Sequence, residues 1–128
     1  MDIREYFENT KGRGVLATAD NEGRVDAAVF ARPHIMDDEI VGFIMPDRLT
    51  HHNLQSNGYA TYLFMEDGPG YNGVRLFLNK IKEEQDSELL FSIRRRKYGG
   101  QTGENNPRFL VFFKVEKTLP LIGGNLNS

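Results

Sequence analysis

The sequence predicts a mainly β chain with helices, a six-stranded and predominantly antiparallel β-barrel flanked by short helices. Three observations lead there. The segments fall in the order helix, hairpin, strand, helix, strand, strand, helix, strand, which is not the regular alternation of a doubly wound sheet. No GxGxxG opens a helix after the first strand, so a dinucleotide fold lacks its phosphate turn. The 128 residues, 39% hydrophobic and with 13 glycines besides, suffice for one core, and no linker or repeat divides them, so residues 1–128 are expected to form a single domain.

Ile3, Tyr6 and Phe7 stand at i, i+3 and i+4 within residues 2–11, the stripe of a short helix that Gly12 and Gly14 stop. Val15 to Ala19 and Val25 to Ala31 flank the turn formers Asp20-Asn21-Glu22-Gly23 and read as a hairpin, which Pro33 ends. A loop through Asp37-Asp38 precedes a strand over Ile40 to Met45. Thr50 and Asn57-Gly58 bracket a helix from Leu49 to Asn57. Tyr59 to Met65 is rich in aromatic and β-branched residues and reads as a strand; Glu66 to Gly73 is a turn. Val74 to Lys82 alternates only in part and reads as a strand with room for a bulge. Asp86 is the expected cap of a helix carrying Leu89, Leu90 and Ile93 and running to about Lys97. Phe109 to Val115 is apolar on both faces apart from Lys114, so its outer face needs a helix or another subunit, and a dimer is expected. Residues 119–128 read as a weakly ordered tail.

Sixteen Lys plus Arg against eighteen Asp plus Glu leave a formal charge of -2, which excludes a broad electrostatic grip on nucleic acid or an anionic membrane. The run Arg94-Arg95-Arg96-Lys97 suits the negative pole of a helix C-terminus better than a nucleic-acid contact. Without cysteine there is neither a thiolate nucleophile nor a Cys-ligated zinc. Met1 to Glu5 has no apolar signal region and no stretch is long enough to span a bilayer, so a cytoplasmic location is expected. The common catalytic motifs are missing. His51 and His52, adjacent on a helix, point about 100° apart and read as partly exposed polar residues rather than metal ligands. More promising are Arg32 at the end of a strand and Arg48 and Thr50 at the start of a helix. Guanidinium groups, a hydroxyl and free backbone amides are what hold a phosphate monoester.

The run from Gly14 to Val25, then Asp26 to Arg32, Ile40 to Met45 and Arg48 to Gly58, resembles the pyridoxamine 5'-phosphate oxidase-like, FMN-binding split-barrel family. The likeness covers residues 12–82 and rests on the order of elements, with Asn57-Gly58 where the family commonly has Asn-Pro. It implies a homodimer with FMN at the interface. Val29, Phe30, Ala31 and Arg32 would then line the flavin, Phe43 and Ile44 would pack on its ring, and Arg48, Leu49 and Thr50 would form the phosphate turn. The sequence departs from the pattern in placing Arg48 before Thr50, and in having Gly73-Val74 where some members offer a glutamine. Nothing resembles the arginine- and proline-containing end of true pyridoxamine phosphate oxidases, so vitamin B6 synthesis is not expected. The resemblance implies a small FMN-dependent oxidoreductase with a small-molecule electron donor or acceptor. The alternatives are a non-enzymatic FMN carrier or electron-transfer module, a haem or deazaflavin binder with His34 as a conceivable ligand, or a barrel that has lost its cofactor. The glycine-rich run from Tyr98 to Asn106 is a candidate lid.

Overall fold

The computed structural model describes residues 1–98 and 106–124. It contains α1 (Ile3–Asn9), β1 (Gly12–Ala19), β2 (Val25–Phe30), β3 (His34–Asp37), β4 (Ile40–Pro46), α2 (Leu49–Ser56), β5 (Tyr59–Glu66), β6 (Gly73–Gln85), α3 (Glu88–Tyr98) and β7 (Arg108–Pro120). The strands form one sheet in the order β2-β1-β5-β6-β7-β4-β3, with every neighbouring pair antiparallel. There are thus seven strands rather than six, and the sheet is not closed. The additional strand is β3, four residues between Pro33 and the Asp38-Glu39 turn, too short to show an alternating pattern.

Period-two alternation builds the interior. Leu16 of β1, Tyr62 and Phe64 of β5, Leu76 and Leu78 of β6, Val41, Phe43 and Met45 of β4, and Val111 and Phe113 of β7 all point inward and are almost fully buried. Two register shifts in β6, at Phe77/Leu78 and Lys80/Lys82, bend the sheet. The coiling carries β2 round to the far strands, so that the Phe30 and Phe43 rings meet edge to face at 5.9 Å. The helix α1, capped by the Asp2 carboxylate on the Glu5 amide, inserts Ile3 and Phe7 into this interior, and Phe7 meets Phe64 at 5.1 Å. Each such side chain contributes about 1.5–3 kcal/mol by leaving water.

The outer face of β7 is covered within the chain. Leu90 and Ile93 of α3 bury Leu110 and Phe112, with Met36, Ile40 and Ile44 packed alongside. The apolar run of β7 therefore finds its helix and does not by itself require another subunit. The cap of α3 is Ser87, whose Oγ accepts from the Leu90 amide at 3.1 Å, and not Asp86. Asp86 instead adopts a left-handed φ of 47° and accepts from the Arg108 amide at 3.1 Å. The last strand runs to Pro120 with Leu119 buried, past the point where a tail was expected. No helix among the described residues is long and apolar enough to cross a membrane.

Candidate functional site

The strand β4 leads into α2 through Pro46-Asp47-Arg48, and this junction faces β2. Val29, Phe30, Arg48, Leu49 and Thr50, five of the nine residues singled out from the sequence, line one cavity of about 340 Å³ together with Asp26, Ala28, Met45 and Pro46. One wall is apolar. The other is the first turn of α2, whose N-cap residue is Arg48 and whose cap makes no side-chain hydrogen bond. Arginine has no acceptor for the first-turn amides, which ordinarily bond a Ser, Thr, Asp or Asn cap. The positive end of α2 is thus left for an external acceptor, with a guanidinium beside it. The Thr50 hydroxyl lies within the first turn and makes a long contact of 3.5 Å to Asp26 Oδ2, so it caps nothing.

The other four residues lie elsewhere. Nη1 of Arg32 donates to the carbonyls of Phe7 at 2.8 Å and Thr10 at 2.9 Å, tying the corner after β2 to the carboxyl end of α1. Phe43 is 2% exposed and sits in the barrel among Phe30, Tyr62 and Phe113. Ile44, its neighbour, points to the opposite face and joins the α3 cluster. Ala31 is exposed just beyond β2 and outside the cavity lining. Residues 99–105 of the expected lid lie outside the described residues.

His51 is not a partly exposed helix-start residue. It is buried, its ring stacks on Phe109 with centroids 3.8 Å apart, and its two nitrogens face Asp47 Oδ1 at 3.0 Å and Glu83 Oε2 at 2.9 Å. Lys80 Nζ and Gln55 Nε2 donate to the other Glu83 oxygen at 2.6 and 2.9 Å. This network fastens α2 to β6 and so positions the Arg48–Thr50 turn. No three His, Cys, Asp or Glu side chains among the described residues gather to hold a metal. Burial alone would raise the Glu83 carboxyl, but the hydrogen bonds from Gln55, Lys80 and His51 outweigh it and bring it from 4.5 down to about 2. The folded chain therefore takes up this proton less readily than the unfolded one. The resulting stabilisation is complete above about pH 4.5 and is lost as pH falls through about 2. Glu83→Ala, which takes from Lys80 and His51 the carboxylate they share and leaves them the Leu54 carbonyl and the Asp47 carboxylate as acceptors, is expected to cost about 2 kcal/mol at pH 7 in urea unfolding. It should also flatten the loss of stability between these pH values.

Asp26, Ala28, Met45 and Pro46 line the cavity without being among the residues the sequence singles out. Asp26 carried a signal, being the one charged residue in the otherwise apolar strand Val25–Phe30.

No protein-family model and no curated protein matches the sequence. Solved structures do match. An FMN-binding protein from Syntrophomonas wolfei superposes with a TM-score of 0.75 at 19% identity, over 97% of this chain and 86% of that one. A candidate pyridoxamine 5'-phosphate oxidase from Lactobacillus delbrueckii gives 0.67 at 15% identity, over 90% and 88%. The haem storage protein HutZ from Vibrio cholerae gives 0.67 at 18% identity, over 92% and 91%. Agreement over nearly the whole length of each chain, at such low identity, is agreement of architecture. This chain has the split-barrel fold of the FMN-binding, pyridoxamine 5'-phosphate oxidase-like proteins.

Proposed function

We propose that this chain binds FMN in the cavity at the start of α2, as one half of a homodimer, and serves as a small FMN-dependent oxidoreductase in the cytoplasm. The observation that carries the reading is the uncapped first turn of α2, with Arg48 as its N-cap residue, at the edge of an apolar cavity. The groups fit the cofactor in kind. The free amides, Arg48 and the Thr50 hydroxyl suit a phosphate, and Val29, Phe30 and Met45 suit a flat ring. The Asp26 carboxylate repels a phosphate and is better placed against the hydroxyls of a ribityl chain. When bound, the flavin supplies hydride and electron transfer, and the protein binds, orients and shields it.

The cavity volume lies near the lower end of the usual ligand range of about 300–1,000 Å³, which favours completion by a second copy. The outer face of β2-β1-β5-β6 supports the same partner. Val29, Val15 and Leu63 lie side by side across three strands, as do Ala27, Ala17, Thr61 and Phe77 across four. Val25 and Val29 are each 83% exposed. An apolar face of that extent is characteristic of an interface, and Val29 belongs both to it and to the cavity.

The test is the absorption spectrum of the purified chain, with FMN titration of any colourless fraction and sedimentation to weigh the species. A flavin spectrum on a dimer is expected. A haem Soret band, a deazaflavin spectrum or indifference to FMN would overturn the reading. Turnover with a nicotinamide donor and a quinone acceptor then distinguishes an enzyme from a carrier. Arg48→Ala is expected to weaken FMN binding by about 1.5–3 kcal/mol while affecting riboflavin far less, since only the former carries the phosphate. Equal losses for both ligands would remove Arg48 from the phosphate.

A further inference from the structure

A second and larger cleft, of about 540 Å³, opens between α1, the corner joining β2 to β3, and α3. None of its lining residues lines the Arg48 cavity, so the two clefts share no side chain. Its apolar surface comes from Phe7, Ile35 and Met36 on one side and Leu89 and Ile93 on the other, with Leu89 still 40% exposed. Its charge is one-sided. Arg4, Arg32 and Arg96 line it against a single carboxylate, Glu8. Among the described residues Arg4, Glu8 and Arg96 form no ion pair. Arg32 spends one nitrogen on the α1 carbonyls, and a guanidinium has five N–H donors.

We propose that this cleft binds a small organic anion, a carboxylate on an aromatic or acyl body, with its head among Arg4, Arg32 and Arg96 and its body against Leu89, Ile93 and Met36. Guanidinium forks match a planar carboxylate in two-point geometry, and their attraction rises where apolar walls exclude water. An apolar lining with a few convergent polar groups is the ordinary make-up of a small-molecule site. The formal charge of -2 argues against a broad grip on a polyanion, so the three arginines make a local site for a single anionic head.

The experiment uses 1-anilinonaphthalene-8-sulfonate as a fluorescent anion on the purified chain, with and without saturating FMN. Binding is expected to be saturable, with one dye per chain at this cleft. Arg4→Glu combined with Arg96→Glu, two exposed positions, should weaken it at least fivefold with the unfolding midpoint unchanged. In the unmutated chain 1-naphthoate should displace the dye at least fivefold better than uncharged 1-naphthamide. A loss under fivefold in the double variant, equal displacement by the two naphthyl compounds, or displacement of the dye by FMN would each overturn the proposal. So would dye binding that vanishes on dimerisation, which would make a second copy of the chain the occupant.

Discussion

Phe43→Ala is expected to lower stability by about 3–5 kcal/mol, which for a chain of 128 residues is a fall of about 10–20 °C in Tm. The ring is 2% exposed and its neighbours come from three other strands: Phe30 of β2, Tyr62 of β5 and Phe113 of β7. It therefore fills the point where the coiled sheet meets itself, and its removal leaves a void that no single element can collapse to fill. Phe43→Leu, which keeps most of the volume, should cost only about 1 kcal/mol and leave the FMN dissociation constant within about twofold. A Phe43→Leu chain of full stability that binds FMN tenfold more weakly would place this ring against the flavin instead. The measurements are urea unfolding and FMN titration on the same preparation.

The resemblance that brought Phe43 and Ile44 forward together as ring-stacking residues treated neighbours in sequence as neighbours in space. In a strand they are not: Phe43 points into the barrel and Ile44 toward α3. Apolar and β-branched runs between turn formers made the strands legible, and alternation then decides which face each residue takes, inward at every second position of β1, β4 and β5. Helical spacing likewise gave α1 and α3. What the sequence left hidden was set by distant partners. His51 reads as a partly exposed helix-start residue until Glu83, more than thirty positions on, is brought to its Nε2. Arg32 reads as a partner of Arg48 and Thr50 until the fold sets it beside α1, in a cleft that Arg48 does not line. The Arg48–Thr50 turn is legible as a unit because it is local, three consecutive residues at a strand-to-helix junction, whereas the β2 wall that completes the cavity comes from eighteen or more positions upstream.

Gly14→Ala is expected to cost about 4 kcal/mol, although it adds one methyl group to a strand whose backbone any residue adopts. A Cβ at this position would stand 1.9 Å from Tyr62 Oη and 2.2 Å from its Cζ, so the whole phenol ring must move. That ring is fully buried, and its hydroxyl donates to the Phe30 carbonyl at 3.1 Å, holding the end of β2 against β5 across the interior. Burial pushes the Tyr62 phenol above its ordinary value, so the group remains a donor throughout the neutral range. The substitution combines overpacking, about 1–3 kcal/mol, with a broken buried hydrogen bond, about 1–3 kcal/mol. Because both arise through one side chain, they are coupled. In a Tyr62→Leu background the same Gly14→Ala change should cost at least about 2 kcal/mol less. An undiminished cost in both backgrounds would show that Gly14 is required for a reason other than room for Tyr62. A reduced cost would identify room for Tyr62, whose hydroxyl holds Phe30 and so the β2 wall of the cavity at Arg48, as what Gly14 supplies.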